Sequence, residues 1–277
     1  MKRVLFVALL IVNCLLFAFS GQIKDLYGHH DTPKSYLQKI PVNIVIPAYN
    51  EERRIGPTLE AYCDYFKDFN VRFIVVLNGV TDNTRAVVEH YQDISSKEIV
   101  IIESAKGKGN AVRQGFLSAL ETDCDIIGFV DADGSIAPDQ YYKLLSELCS
   151  KSCDCDGVIA SRYMKGSDIG VARPKIKEYG RRWFYNRPIK KKLGLDYHDY
   201  QCGAKLFKRR VIEEIAPSLT EAGWALDLDI LYLCKQCNFH IHEIPIVWRD
   251  KEGSHLSIFA SIKDLYNAVN RVKVKVI

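Results

Sequence analysis

Asp131 and Asp133 stand one residue apart at the end of an apolar run, Ile126-Ile127-Gly128-Phe129-Val130. Two like charges that close repel each other unless a cation lies between them or one is neutralised. Carboxylates are hard oxygen ligands. At a strand end such a pair can hold Mg2+ or Mn2+ against a diphosphate, the ion keeping waters and phosphate oxygens as its other ligands. Ala132 leaves space between the two, and Gly134 allows a sharp exit turn. Taken alone, D-x-D in a loop reads equally as a solvated turn. A second stretch, Lys106-Gly-Lys108-Gly-Asn110-Ala-Val-Arg113, is glycine-rich and basic and opens a helix. Backbone N–H groups and the helix dipole favour anions at such a place. It is neither a P-loop nor a dinucleotide fingerprint, because Gly107, Gly109 and Gly115 have the wrong spacing.

The elements that must position these residues alternate as βαβ units. Val42 to Ile46 reads as a strand, Glu51 to Tyr65 as a helix with Pro57 inside it, Phe73 to Leu77 as a strand and Thr81 to Tyr91 as a helix. Ile99 to Ile102, Asn110 to Leu120, Asp125 to Val130 and Pro138 to Cys149 continue the pattern. Short β-rich strands separated by helices of about a dozen residues predict an α/β fold, a mostly parallel sheet with helices on both faces. In such sheets ligands bind at the carboxyl ends of strands. Three of those ends carry polar residues: Pro47-Ala-Tyr-Asn-Glu51, Asn78-Gly79 and Asp131-Ala-Asp133. Their convergence weighs more than any one of them. Beyond Gly157 to Ala160 the regularity changes. Residues 163 to 198 read as a basic connection containing a helix. Then come a short strand or turn at Gln201 to Phe207, helices near Arg209 to Ile215 and Ala225 to Cys237, and a strand at Ile241 to Val247. From Ser257 to Val276 the apolar residues, Val269 and Val272 among them, fall on one face of a helix.

The 277 residues are 48% hydrophobic and 26% charged, an ordinary globular composition that can bury a full core. The net charge of +4 is unevenly spread: Arg173 to Lys192 holds nine basic residues against Glu178 alone, so the remainder is acidic. That stripe, with Arg181, Arg182, Lys190 and Lys191 beside Trp183, suits anionic head groups with aromatics at a membrane interface. Nothing else supports nucleic acid. Of nine cysteines, Cys153/Cys155 and Cys234/Cys237 are the close pairs, and one C-x-x-C is weak evidence for zinc. They read as reduced structural thiols. At the N-terminus, Met1-Lys2-Arg3 leads into an apolar segment from Val4 to Phe19 interrupted by Asn13. A spanning helix needs about 20 residues, or about 17 at the short end, and Ser20 and Gly21 extend this one. A single-pass anchor over residues 1–21 and a cleavable signal peptide ending near Ser20 are both open on this segment alone. A linker over 22–40, a domain over 41–256 and a terminal amphipathic helix over 257–277 complete the expected organisation.

Taken together, Ile46 to Glu52, Gly79 to Thr84, Gly107 to Arg113, Asp131 to Gly134 and Ala160-Ser-Arg162 resemble the family 2 glycosyltransferases of GT-A fold. Three more stretches, Asp199 to Phe207, Trp224 to Tyr232 and Glu243 to Trp248, resemble one branch of that family, the dolichyl-phosphate β-glucosyltransferases. The resemblance covers about residues 40 to 256. It implies that Pro47, Tyr49 and Glu51 contact the nucleotide, that Asp131 and Ala132 face it with Lys108 at the phosphates, and that Asp133 holds the metal. Arg162 and Lys205 are expected near a donor or acceptor phosphate. Where relatives carry two acidic residues after the second strand, this chain has Leu77-Asn78. Asn78 can still meet a base as donor and acceptor, which leaves uracil or guanine open.

The implied chemistry is transfer of a hexose, glucose from UDP-glucose, onto a polyprenyl (dolichyl) phosphate with inversion, Mg2+ or Mn2+ stabilising the leaving diphosphate. A hydroxyl acceptor would need a general base, and Asp199 and Asp227 are the candidates for a base or an orienting carboxylate. A lipid phosphate, with its second pKa about 6, has little need of one. The alternatives are a mannose version using a GDP donor and a lumenal glycan or protein glycosyltransferase. Lys2 and Arg3 pull the N-terminus toward the cytosol, but a cytosolic donor sets the catalytic domain on the cytosolic face of the membrane, the endoplasmic reticulum in a eukaryote or the plasma membrane in a prokaryote.

Overall fold

The computed structural model describes residues 32–170, 186–249 and 269–272. Seven strands form one sheet: β1 (Val42–Ala48), β2 (Val71–Leu77), β3 (Ile99–Glu103), β4 (Ile126–Val130), β5 (Gly157–Ser161), β6 (Ala204–Lys208) and β7 (Ile241–Pro245). Their order is β3-β2-β1-β4-β6-β5-β7. β1 pairs in parallel with both β2 and β4, β2 with β3, and β5 with β7, whereas β6 runs antiparallel between β4 and β5. The helices are α1 (Lys34–Leu37), α2 (Ile55–Tyr65), α3 (Thr84–Ile94), α4 (Lys108–Leu120), α5 (Pro138–Leu148), α6 (Arg187–Leu193), α7 (Arg209–Ile215) and α8 (Leu226–Gln236).

Side chains alternate across a strand, and here both faces are apolar because both are covered. Val42, Ile44 and Ile46 of β1 join Phe73 and Val75 of β2 in a layer closed by Leu59 and Tyr62 of α2 and by Tyr141 and Leu144 of α5. Val45, Ile74 and Phe129 point the other way, into a layer closed by Val112 and Phe116 of α4, Ile212 of α7 and Leu228 and Leu231 of α8. Helices therefore lie on both faces, as the alternation of elements predicts. Packing also begins before residue 41: Leu37 is buried, and Asn70 N donates to Gln38 O at 2.8 Å. At the other end Val269 and Val272 enter the second layer, so this part of the terminal amphipathic segment packs on the domain.

Three local expectations are corrected. The helix expected from Glu51 starts at Ile55, because Asn50 takes a left-handed φ of 53° and Arg54 and Ile55 N both turn back to Glu51 O. Pro57 then falls in the first turn, where a missing N–H costs nothing. The helix expected from Thr81 starts at Thr84, since Asp82 accepts both the Thr84 N–H and its hydroxyl. Cys153 and Cys155 form a disulfide, which overturns the reading of that pair as reduced: two residues apart, they place their sulfurs side by side. Cys63, Cys124, Cys149, Cys202, Cys234 and Cys237 are free thiols.

Among the described residues no helix is long and apolar enough to cross a membrane. The segment expected to be an anchor, residues 1–21, lies outside them, as do Arg181, Arg182 and Trp183.

The join between β4 and β6 is close. A Cβ on Gly128 would lie 2.3 Å from Lys205 O and 2.6 Å from the Tyr141 hydroxyl. Gly128→Ala should destabilise the fold by about 1–3 kcal/mol through overpacking, read as a lower urea midpoint at unchanged m-value.

Candidate functional site

The carboxyl ends of β1, β2 and β4 meet as expected for a doubly wound sheet. From β1, Pro47 is buried in the strand and Tyr49 follows it. The Lys106 ammonium donates to the Tyr49 hydroxyl at 2.8 Å and lies 4.6 Å from its ring centre. Glu51 is clamped by Arg54, whose Nε and Nη2 donate to its two oxygens at 2.6 and 2.7 Å. Burial nonetheless pushes the Glu51 carboxyl above its ordinary value, helped by the charges of Asp133 and Asp131, so it belongs to the same electrostatic pocket. Asn78, expected to meet a base, is spent otherwise. Its amide is buried, its Nδ2 donates to Ala48 O at 2.9 Å, and its Oδ1 accepts from Gly107 N at 3.4 Å. It braces the strand ends and the glycine loop.

From β4 comes the pair itself. Asp133 Oδ1 accepts from Ser135 N at 2.9 Å across the turn at Gly134, whose φ is +70°. Buried Ala132 is held by the Thr58 hydroxyl, which donates to Ala132 O at 3.0 Å. Asp131 is 2.7 Å from Lys108 Nζ. That ammonium is packed under Trp224, 5.1 Å from its ring, and although burial would discharge it, Asp131, Asp227 and Asp133 hold its pKa above the usual lysine value. The two aspartates are thus unequal. One carries a lysine and the other, apart from one backbone N–H, makes no hydrogen bond among the described residues. This is an all-oxygen donor set with an accessible carboxylate, which fits a hard divalent ion.

The glycine loop departs from expectation. Gly109 N and Asn110 N both donate to Ala222 O, at 2.8 and 3.3 Å, so two of the helix-start N–H groups expected to bind an anion are already occupied by the chain. The glycines admit that neighbour. A Cβ on Gly109 would lie 1.8 Å from Glu221 O, and one on Gly107 2.3 Å from Ala222 O. What reaches the site from this helix start is the Lys108 side chain.

On the far side, β6 contributes Lys205. Its side chain has 0% exposure and forms an ion pair with Asp227 of α8, itself 1% exposed, while also donating to Cys202 O at 2.8 Å. Lys205 therefore acts from beneath the site through Asp227 and the Cys202 carbonyl. Arg162, just after β5, grips Asp199 by its backbone N at 3.1 Å, Nε at 2.7 Å and Nη2 at 2.9 Å. Burial by itself would raise the Asp199 carboxyl, but the Arg162 charge and these hydrogen bonds hold it below the usual range. Lys190 and Lys191 are exposed on α6, Lys190 pairing with Asp196 at 2.6 Å.

Sequence reasoning passed over two residues that set this geometry. A Cβ on Gly203 would lie 1.9 Å from Asp131 Oδ2, and Gly203 O accepts from Asp131 N at 2.9 Å; a glycine just before a strand gives no hint of that neighbour. Trp224, half exposed over Lys108, was visible only as part of a motif.

The Glycosyl transferase family 2 model matches residues 43–216. The chain is similar to the dolichyl-phosphate beta-glucosyltransferase of Saccharomyces cerevisiae, 31% identical over 268 residues, covering 86% of this chain and 74% of that one. The Homo sapiens protein of the same name is 29% identical, covering 87% and 76%. A solved structure of glucosyl-3-phosphoglycerate synthase from Mycobacterium tuberculosis, in complex with Mn2+, UDP-glucose and phosphoglyceric acid, superposes with a TM-score of 0.59. It is 14% identical and covers 84% of this chain and 80% of that one. At that identity the likeness shows the fold, a GT-A-like sheet.

Two outcomes follow from the geometry. Gly203→Ala should push Asp131 off Lys108 and lower the Lys108 pKa while the far-ultraviolet circular dichroism is kept, with titration of the lysine ammonium by NMR as the measurement. Asp199 contributes stability that is full above its unfolded pKa of about 3.9 and is lost as pH falls through its lower folded value. Asp199→Asn should therefore be less stable than wild type at neutral pH, and urea midpoints should converge once the medium is acidic enough to protonate the wild-type carboxyl.

Proposed function

The chain belongs to glycosyltransferase family 2, and from that premise we propose that it transfers glucose from UDP-glucose to dolichyl phosphate, giving a lipid-phosphate-linked glucose. The names of its relatives support the reaction, and the nucleotide sugar and metal in the structural neighbour support the donor. From the chain itself, the observation that carries the acceptor is the state of its carboxylates. Both residues offered as a base are buried and already paired with cations, Asp199 with Arg162 and Asp227 with Lys205. A carboxylate held low by an arginine is a poor proton acceptor near neutral pH. An acceptor phosphate, largely ionised at pH 7 with its second pKa about 6, needs positioning rather than deprotonation.

Pro47, Tyr49 and Glu51 line the nucleotide side, with Lys106 fixing the Tyr49 ring. Asp133 is the ligand for Mg2+ or Mn2+, which supplies stabilisation of the charge that develops on the leaving diphosphate. Lys108, charged and fixed against Asp131, faces the diphosphate. Asp131 holds Lys108 in place, and Gly203 keeps the space that Asp131 needs. Asp199 and Asp227 orient Arg162 and Lys205, and Arg162 meets the acceptor phosphate. The same reading places the enzyme at the endoplasmic reticulum membrane with its catalytic domain in the cytosol. There residues 1–21 act as anchor, and Arg181, Arg182, Trp183, Lys190 and Lys191 meet anionic head groups.

Incubation of the full chain with labelled UDP-glucose, dolichyl phosphate and Mg2+ or Mn2+ should yield an organic-soluble, acid-labile glucolipid, and GDP-mannose should not replace the donor. Absence of the lipid product would sink the acceptor assignment. Asp133→Ala should lose more activity than the ~10–100-fold typical of an outer-shell change, with its thermal midpoint close to that of wild type.

A further inference from the structure

Glu243, the third residue of the edge strand β7, is a buried carboxylate at 7% exposure. Its Oε2 accepts from His198 N at 2.8 Å and from His198 Nδ1 at 2.9 Å, and its Oε1 accepts from Asp199 N at 2.7 Å. All three partners are N–H donors. An acceptor-only carboxylate satisfies them, whereas an amide would turn an NH2 against one side. Asp199, so pinned by its backbone, takes Arg162 by three N–H groups and Gln201 N at 3.2 Å on its carboxylate. The guanidinium also lies 5.6 Å from the Trp248 ring and 5.4 Å from the Tyr163 ring. Nη1 of Arg162 makes no hydrogen bond among the described residues. β7 and the residues after it thus support Arg162 twice, through Glu243 in mid-strand and through Trp248 beyond the strand's end.

We propose that Glu243 is a positioning residue for the acceptor phosphate, acting through the 198–199 backbone and Asp199 to hold Arg162 with its remaining N–H toward that phosphate. The inference rests on the reading of a phosphate acceptor and goes beyond it by naming what orients the arginine. The carboxylate touches no reacting atom. A buried carboxylate satisfied by one short segment fixes that segment strongly, because hydrogen bonds to a charged acceptor are about twice as strong as neutral ones. The pairing of Ile159 with Glu243 in the parallel β5–β7 ladder sets the register, so the clamp comes from the strand beside the one that ends at Arg162.

The test is a double-mutant cycle of Glu243→Gln and Arg162→Ala on the full chain, read as kcat/KM for dolichyl phosphate and for UDP-glucose. Glu243→Gln should lower kcat/KM for the lipid phosphate by about tenfold or more, through KM for the acceptor with KM for UDP-glucose unchanged. The double variant should be no worse than Arg162→Ala alone, because a residue acting only through another has nothing left to act on. Losses that multiply, or a Glu243→Gln effect shared equally by both substrates, overturn the proposal. If Glu243→Gln does not fold, Glu243→Asp, which withdraws the carboxylate by one methylene, is carried through the same cycle. A wrong acceptor shows differently: wild type then makes no lipid-linked glucose. In that case the cycle is read by calorimetric titration with farnesyl phosphate. Equal weakening in both single variants and the double supports the coupling, whereas additive weakening, or no binding by wild type, refutes it.

Discussion

A lysine with no exposed surface cannot keep its charge alone, and the meeting of Lys205 with Asp227 is the condition on which the rest of the site stands. Isolated, either charge would bear the cost of leaving water with nothing to offset it. Removing one partner of such a pair costs about 3–5 kcal/mol, because the other is left uncompensated. The register of β6 sets where this pair forms. Lys205 lies opposite Phe129 of β4 and projects to the face where α8 presents Asp227. Around it the charges interlock. Lys108 is held by Asp131 and feels Asp227 and Asp133, and Arg162 is held by Asp199, which also feels Lys205. Lys108, Lys205 and Arg162 thus face Asp131, Asp133, Asp199 and Asp227, and the surplus is one carboxylate. The repulsion latent in Asp131-Ala132-Asp133 is resolved on one side by a lysine and left open on the other for a cation.

The same economy of donors decides how the site treats an anion. In many nucleotide-binding sheets a glycine-rich helix start offers its backbone N–H groups to phosphate. Here Ala222 O has taken two of those groups from Gly109 and Asn110, so the glycines serve a close chain-to-chain contact. An anion at this end of the sheet would meet side chains such as Lys108 rather than those two N–H groups. The exchange also ties the segment before α8, with Trp224, to the start of α4, and Trp224 in turn covers Lys108.

Much of this architecture is legible in the sequence, and what is not has a common cause. Strands β1 to β5 announce themselves by short apolar runs, and the carboxyl-end rule leads directly to Pro47, Tyr49, Glu51, Asp131 and Asp133. Both layers follow from period-2 alternation with apolar residues on each side. Illegible are the features made by long-range approach. The insertion of β6 depends on pairing across some 75 positions, for which a short run at Gln201 to Phe207 carries no signal. The true employment of Asn78 depends on Ala48 and Gly107, and the need for glycine at 203 depends on Asp131. Spacing cannot show that a helix start is already occupied, nor that Cys153 and Cys155 face one another. Residue type announces chemistry, while the contact that spends it lies elsewhere in the chain.

That distinction divides the site in two. One group is built on β1, β2 and β4, consecutive in space and nearly so in sequence, and its residues come in short motifs. The other is assembled from Arg162 after β5, the 198–203 segment, Glu243 within β7 and Trp248 beyond it, parts of the chain that meet because β5 and β7 pair in parallel. Glu243, Asp199 and Arg162 are held one through the next, so a change at one position strands a charge at its neighbour. The second group changes as a unit or fails, which ties the placement of Arg162 to the edge of the sheet and leaves Asp131 and Asp133 at its centre undisturbed.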